Sequence, residues 1–134
     1  MQLAIIQVCV DDRLNHEQLR IQVWHKLAEL YLKADHVFIV NELGGNMGAN
    51  FRNLLDMTLQ TGTNVVLAGV LHHDDCLAHQ AGFRRPMDDT LAQMTRALQE
   101  RKINCPLVSG NIYTANNHIV WLADRKIAAN SPKT

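Results

Sequence analysis

Short apolar runs separated by helical patterns constrain the fold of this chain more than any other feature. Three such runs cover residues 3–10, 36–40 and 64–71, and each is rich in Val, Ile or Leu. Nearly continuous apolar sequence is typical of strands that are covered on both faces. Strands that alternate with helices form βαβ units around a parallel sheet. The sequence therefore predicts a single three-layer α/β domain.

The handedness of the connections limits the order of the strands. A fourth strand is predicted over residues 107–109, and a last strand over residues 118–122 after a turn at residues 110–117. Right-handed crossovers are compatible with the order 2-1-3-4 for the parallel strands, and the last strand is expected to be an antiparallel edge strand. In this order the second strand lies on one side of the first strand and the third strand lies on the other side. Ligand sites in open α/β sheets lie at the point where the strand order switches sides in this way, here between the first and third strands.

Capping and turn residues predict where the helices begin and end. Asn15 and Gln18 resemble a capping box, which opens a first helix. Gly62 is expected to end a second, short helix, and Pro86 fits the first turn of a third helix. The apolar residues expected to face inward are Phe51, Leu54, Leu55, Met57 and Leu59 in the second helix, and Leu91, Met94 and Leu98 in the third.

The size and charge of the chain bound its functional class. Its 134 residues are enough for one domain, which is expected over residues 1–123 and followed by a polar tail, residues 124–134, that frays. Thirteen basic and thirteen acidic side chains cancel. A net charge of zero removes the usual electrostatic case for binding nucleic acid or an anionic membrane. It also suits a protein that buries surface in an oligomer.

The apolar runs and the cysteine count indicate the compartment. No run is long enough to cross a bilayer, and the sequence opens without a basic leader or a cleavage site. Three cysteines are an odd number for a disulfide framework. We therefore expect a cytoplasmic protein whose cysteines are thiols or metal ligands.

Residues that can bind a metal follow two of the predicted strands. Cys9 lies at the end of the first run, and His73 and Cys76 follow the third. If these strands are neighbours in a parallel sheet, the loops that leave their carboxyl ends meet. Two thiolates and an imidazole would then form a three-ligand set with an open fourth position, as in catalytic zinc sites. Asp11 and Arg13 would lie beside it.

Each of these residues has a simpler interpretation when it is taken singly. A lone cysteine often behaves as a small buried hydrophobic residue, and Cys105, before a predicted strand, is interpreted as core. A local metal site of His72, Cys76 and His79 that excludes Cys9 is a further alternative. His72 and His79 are otherwise expected to be either exposed loop histidines or proton-transfer groups, because imidazole titrates near neutral pH.

Two motifs together resemble a known family. Cys9-x-Asp11-x-Arg13 followed by His73-x-Asp75-Cys76 is similar to the signature of the β-class carbonic anhydrases. The resemblance covers most of the chain, from about residue 5 to residue 122. The flanking sequence that shares it is Asp35-His-Val-Phe-Ile-Val-Asn41 before Gly44-Gly45, and Val108-x-Gly110-x-Ile112-Tyr113 before the last strand.

The resemblance implies a function and a set of roles. Cys9, His73 and Cys76 would bind zinc (Zn2+), with water or hydroxide in the fourth position, and the reaction would be the reversible hydration of carbon dioxide to bicarbonate. Asp11 would accept a hydrogen bond from the zinc-bound hydroxide, while Arg13 keeps Asp11 ionised and directed away from the metal. If that pairing failed, Asp11 could become a fourth ligand and close the site.

The chain also departs from the family pattern. Asp12 replaces a serine and could compete for Arg13, Leu77 replaces a glycine, and Asn41 replaces an arginine. The sequence starts eight residues before Cys9, so the resemblance implies that the amino-terminal helices that clasp a neighbouring subunit are missing. A substrate-binding glutamine would be missing with them, because Gln2 and Gln7 do not have the matching spacing.

Three hypotheses follow from these observations. The first is a zinc lyase that hydrates carbon dioxide. The second is a catalytically weak or silent zinc-binding protein of the same fold, with a role in assembly or regulation. The third is a hydrolase of a sulfur analogue such as carbonyl sulfide. In each case we expect a homodimer or a higher homo-oligomer, because the resembled family builds its pocket at a subunit interface.

Overall fold

A mixed, mostly parallel sheet of six strands lies at the centre of the molecule. The computed structural model describes residues 1–122 and the backbone of residues 125–126. The strands are β1 (Gln2–Val8), β2 (His36–Asn41), β3 (Asn64–His73), β4 (Pro106–Tyr113), β5 (His118–Trp121) and β6 (Arg125–Lys126). Their order is β2-β1-β3-β4-β5, and β6 pairs with β4. The first four strands are parallel, and β5 and β6 are antiparallel to β4. The predicted order and the antiparallel edge strand are therefore confirmed.

Helices connect the strands and cover both faces of the sheet. They are α1 (His16–Glu29), α2 (Ala49–Thr61), α3 (Leu77–Gln80) and α4 (Met87–Glu100), with a 3-10 turn at Leu43–Gly45. At the start of α1, the Gln18 amide donates to Asn15 Oδ1 at 3.0 Å. Gly62 ends α2 in the left-handed conformation, with φ of 70°, which glycine adopts without steric cost. The predicted helix start at Asn15 and the predicted helix end at Gly62 are confirmed, but the second half of a capping box does not form, because the Asn15 amide donates to Asn117 Oδ1.

Each face of the sheet has its own apolar core. On one face, Ile5 and Val70 pack with residues of α2 and α4. On the other, Ile6 and Leu71 pack with α1. Burying one such side chain fully stabilises the fold by about 1.5–3 kcal/mol. The fully buried helical residues include Phe51, Leu55, Met94 and Leu98 on the first face, and Leu19, Val23 and Leu27 on the second.

The strands differ from the prediction mainly in their length. β3 continues through His73 and β4 through Tyr113, whereas the sequence pattern ended them at residues 71 and 109. The two extensions pair with each other, with His72 opposite Asn111 and His73 opposite Ile112. Pairing with a distant strand thus overrides the polar local sequence, and the predicted turn at residues 110–117 shrinks to residues 114–117.

Two smaller predictions need correction, and one short helix was missed. Pro86 precedes α4 rather than lying in its first turn, and α3 was not predicted. Met57 and Leu59 are exposed, because they lie on the outer side of α2.

The predicted tail overlaps the end of the described chain. Two of its residues, Arg125–Lys126, form β6; the rest of residues 124–134 lies outside the described residues. None of the helices in the described part combines the length and hydrophobicity that a membrane span requires.

Candidate metal centre

The carboxyl ends of β1 and β3 bring the three predicted ligands together. β1 and β3 are parallel neighbours, with Gln7 opposite Val70, so Cys9 leaves the sheet beside the end of β3. The ligand atoms of Cys9, His73 and Cys76 all lie within 4.8 Å of one another. The two sulfur atoms are 3.9 Å apart, and all three residues are buried. The predicted convergence is confirmed, and this group could hold a metal ion.

The imidazole of His73 is oriented as a ligand requires. Its Nδ1 lies 2.6 Å from the carbonyl oxygen of Asp74; because a carbonyl only accepts, Nδ1 carries the proton. The other ring nitrogen, Nε2, is buried without a hydrogen-bond partner among the described residues. Buried polar atoms are rarely left unpaired. A histidine that binds a metal through one ring nitrogen commonly donates a hydrogen bond from the other nitrogen to a carbonyl or carboxylate oxygen, as Nδ1 does here to Asp74. The unpaired Nε2 fits a bound cation.

The sulfur atoms fit the same cation. The backbone amide of Gly44 donates to Cys9 Sγ at 3.2 Å, which lowers the pKa of this thiol, whereas burial and the neighbouring Cys76 raise it; burial dominates, and the net shift is upward. A buried thiolate lacks the solvation that water would give its negative charge, so a cation beside it stabilises it strongly. Two thiolates and one imidazole are a donor set that suits zinc.

Asp11 and Arg13 form a two-point ion pair beside the three ligands. Arg13 Nη2 donates to Asp11 Oδ2 at 2.8 Å and Arg13 Nε to Asp11 Oδ1 at 3.1 Å. These hydrogen bonds lower the pKa of Asp11 to about 2, so its carboxyl group is ionised at neutral pH. Asp11 Oδ2 lies 3.6 Å from His73 Nε2. Among the described residues, both side-chain hydrogen bonds from Arg13 to a carboxylate go to Asp11, and neither goes to Asp12.

Arg13 also links the two loops of the site. Its Nη2 donates to the carbonyl oxygen of Asp75 at 2.9 Å, within the loop that carries His73 and Cys76. Asp75 has a φ of 49°, a left-handed conformation that Asp tolerates better than most residues. The guanidinium therefore holds Asp11 and the ligand loop in one arrangement.

The β4–β5 turn braces both loops, and sequence reasoning missed this role. Asn117 Nδ2 donates to the carbonyl oxygen of Arg13 at 3.1 Å, and its Oδ1 accepts from the Asn15 amide at 2.8 Å. The Thr114 amide donates to Asp74 Oδ1 at 2.8 Å. The only signal in the sequence was a cluster of turn-forming residues before the last strand.

The remaining candidate residues lie apart from this group. His72 is buried in β3, and burial, helped by Arg84, lowers its pKa to about 4. The expectation of an exposed loop histidine is therefore wrong for His72; His79 is exposed as expected, but it lies in helix α3 rather than in a loop. Among the described residues, the group that could hold a metal contains Cys9, so the alternative site of His72, Cys76 and His79 does not form. Cys105 belongs to the core between the sheet, α2 and α4, as predicted.

Comparisons with known proteins bear on the fold. The sequence matches no family model and no curated protein. Solved structures do match: a carbonic anhydrase from Streptococcus mutans is 16% identical, with 90% of this chain and 81% of that chain covered and a TM-score of 0.53. The β-carbonic anhydrase CafA of Aspergillus fumigatus is 11% identical, with 96% and 76% covered and a TM-score of 0.52.

The fold is that of a β-carbonic anhydrase. On this β-carbonic anhydrase fold, a surface cavity of about 440 Å³ adjoins the ligand group and is lined by Asp11, Arg13 and Leu77 among others. Leu77, one of the departures from the family pattern, is 75% exposed at this cavity. Asn41, another departure, lies at the end of β2, where its Oδ1 is 3.1 Å from His16 Nε2.

Proposed function

We propose that this chain is a zinc-dependent carbonate dehydratase, which reversibly hydrates carbon dioxide to bicarbonate. The observation that carries the proposal is that Cys9, His73 and Cys76 have ligand atoms within 4.8 Å of one another. The buried Nε2 of His73 has no hydrogen-bond partner among the described residues, and it lies 3.6 Å from Oδ2 of the ionised Asp11. The β-carbonic anhydrase fold supports it.

Cys9, His73 and Cys76 are the residues that would hold zinc. Bound there, zinc would supply hydroxide near neutral pH, because it strongly lowers the pKa of water. The Asp11 carboxylate is ionised at this pH and can only accept hydrogen bonds. It would accept one from the hydroxide nucleophile and so direct a lone pair of that hydroxide towards carbon dioxide. Arg13 already uses two donors on Asp11, which favours an Asp11 that stays beside the metal over one that becomes a fourth ligand.

The neighbouring cavity suits a small, neutral substrate. Val10 and Leu77 contribute apolar surface to it, and Asp11 and Arg13 contribute charge. Carbon dioxide could approach over the apolar side chains, and bicarbonate could leave past Arg13. For proton transfer to solvent we favour His79, which is exposed in α3, over His72, which is buried in the sheet.

The proposal extends to assembly and location. Trp24 and Phe38 are partly exposed and line a groove beside β2, which forms one edge of the sheet. Together with the zero net charge, these apolar side chains favour a homodimer or a larger homo-oligomer. The three cysteines are free thiols, which suits the reducing cytoplasm. We assign the zinc site to a domain formed by residues 1–123.

Stopped-flow measurement of carbon dioxide hydration tests the proposal. The zinc-loaded protein is expected to turn over carbon dioxide, and Cys76→Ser is expected to abolish turnover. A protein that binds one zinc per chain but hydrates carbon dioxide no faster than buffer alone would contradict the proposal and support the catalytically silent zinc-binding protein. Because Leu77 changes the cavity lining, the same assay with carbonyl sulfide decides whether a sulfur analogue is the preferred substrate.

A further inference from the structure

Gln7 is a buried amide in a row of apolar side chains. Leu3 and Ile5 in β1 face the core formed with α2 and α4, and Gln7 continues that row because alternate residues of a strand share a face. Its side chain is fully buried. An apolar side chain here would simply extend the core, whereas burying an amide costs free energy unless it is hydrogen-bonded.

Both amide hydrogens of Gln7 are used on one turn. Nε2 donates to the carbonyl oxygen of Gly45 at 2.6 Å and to that of Asn46 at 2.9 Å. Because both partners are acceptors, the NH2 group must face them. Oε1 has no partner among the described residues. The fold therefore uses the donors of this side chain and leaves its acceptor unused.

The same turn donates to the metal centre. Gly44 and Gly45 have φ of 66° and 70°, and the Gly44 amide donates to Cys9 Sγ at 3.2 Å. The turn has little room: a Cβ on Gly44 would lie 3.2 Å from Arg84 Cα and 3.3 Å from Ala78 Cβ. A small displacement of the turn would change the hydrogen bond to sulfur.

We propose that Gln7 is a positioning residue for the metal centre. By holding the carbonyl groups of Gly45 and Asn46, it aims the Gly44 amide at Cys9 Sγ and so sets how tightly Cys9 binds the metal. This inference rests on the metal site of the proposed function, but not on catalysis. Partners that orient a metal ligand from outside the coordination shell typically contribute 10–100-fold to metal affinity.

Gln7→Met tests the inference, because methionine has a similar volume and no donor. We expect zinc affinity, measured by chelator competition, to fall about 10-fold or more. In the cobalt-substituted protein, the sulfur-to-cobalt charge-transfer band is expected to shift or weaken. Thr58→Val is the matched control: Thr58 Oγ1 is buried and donates to the Leu55 carbonyl at 2.6 Å within α2, and its loss should leave affinity and band unchanged.

Asn46→Ala keeps the test decisive if Gln7→Met fails to fold. Asn46 ties the turn to the next loop from outside, since Nδ2 donates to the Phe83 carbonyl at 2.7 Å and Oδ1 accepts from the Arg85 amide at 2.8 Å. It is expected to weaken zinc binding in the same direction, by a smaller factor.

The outcomes separate this inference from the proposed function. Unchanged zinc affinity and an unchanged cobalt spectrum in the folded variants would overturn the role of Gln7 and leave the enzyme proposal standing. A 10-fold loss of affinity in a protein that never hydrates carbon dioxide would support the role and contradict the enzyme. A parent protein that binds no zinc would overturn both.

Discussion

Cys9 and Cys105 are both buried cysteines next to strands of the same sheet, but their surroundings differ. Cys9 follows the carboxyl end of β1 and has Cys76, His73 and the Gly44 amide as neighbours. Cys105 precedes the amino end of β4 within an apolar core, and burial raises the pKa of its thiol to about 12. Burial therefore does not distinguish a ligand from a core residue. A ligand cysteine is distinguished by other polar groups that point to the same place, and such groups come together where the carboxyl ends of parallel strands meet.

Removing a thiol from each region should give opposite results. Cys76→Ser is expected to lower zinc affinity by about 100-fold or more, since it removes a ligand rather than an outer partner, and to abolish carbon dioxide hydration. Cys105→Ala is expected to retain one zinc per chain and full activity. Metal analysis after dialysis, with stopped-flow assays, measures both. Equal zinc loss in the two variants would remove the distinction between the regions.

Separating Asp11 from Arg13 should affect turnover and spare the metal. Arg13→Ala removes both side-chain hydrogen bonds to the Asp11 carboxylate and leaves the one from the backbone amide of residue 13. A positioned group of this kind typically contributes about 100-fold or more to rate. We expect kcat to fall by about that factor while zinc content is unchanged. Arg52→Ala, at an exposed arginine of α2, is the control. Zinc loss in Arg13→Ala would instead assign Arg13 to metal retention.

The brace from the β4–β5 turn should contribute to stability more than to chemistry. Asn117→Ala removes hydrogen bonds to the Arg13 carbonyl and the Asn15 amide and places alanine at a φ of 57°. We expect the free energy of unfolding to fall by about 1–3 kcal/mol, measured by chemical denaturation. Asn117→Gly relieves the backbone strain, so its remaining loss reports the hydrogen bonds. An unchanged free energy of unfolding in both variants would show that the Asn117 side chain contributes nothing to the brace.

Much of this arrangement could be predicted from local sequence, because it depends on periodicity and strand neighbours. The apolar runs determine the first three strands, and the strand order then places Cys9 beside His73. Local sequence did not predict the burial of His72, which depends on a ladder with Asn111 about forty positions away. Nor did it reveal Gln7 or Asn117, since their hydrogen-bond partners are backbone groups of distant turns. Such contacts produce no recognisable spacing of residue types in a single sequence.

Thiol reactivity gives the finest test of the comparison between the two regions. Val10 and Leu77 are exposed, so Cys9 and Cys76 need only a small local movement to reach solvent once the metal is removed. Cys105 requires the α2–α4 core to open. We expect a thiol reagent to label two cysteines in the chelator-treated native protein and the third only on unfolding. Equal labelling rates for all three would contradict the contrast.

X-ray absorption at the zinc edge tests the central claim most directly. The account predicts two sulfur ligands at about 2.3 Å and an imidazole nitrogen at about 2.0–2.1 Å in the parent protein, and one sulfur ligand in Cys9→Ser. A shell of nitrogen and oxygen alone, or two sulfurs that persist in Cys9→Ser, would contradict it.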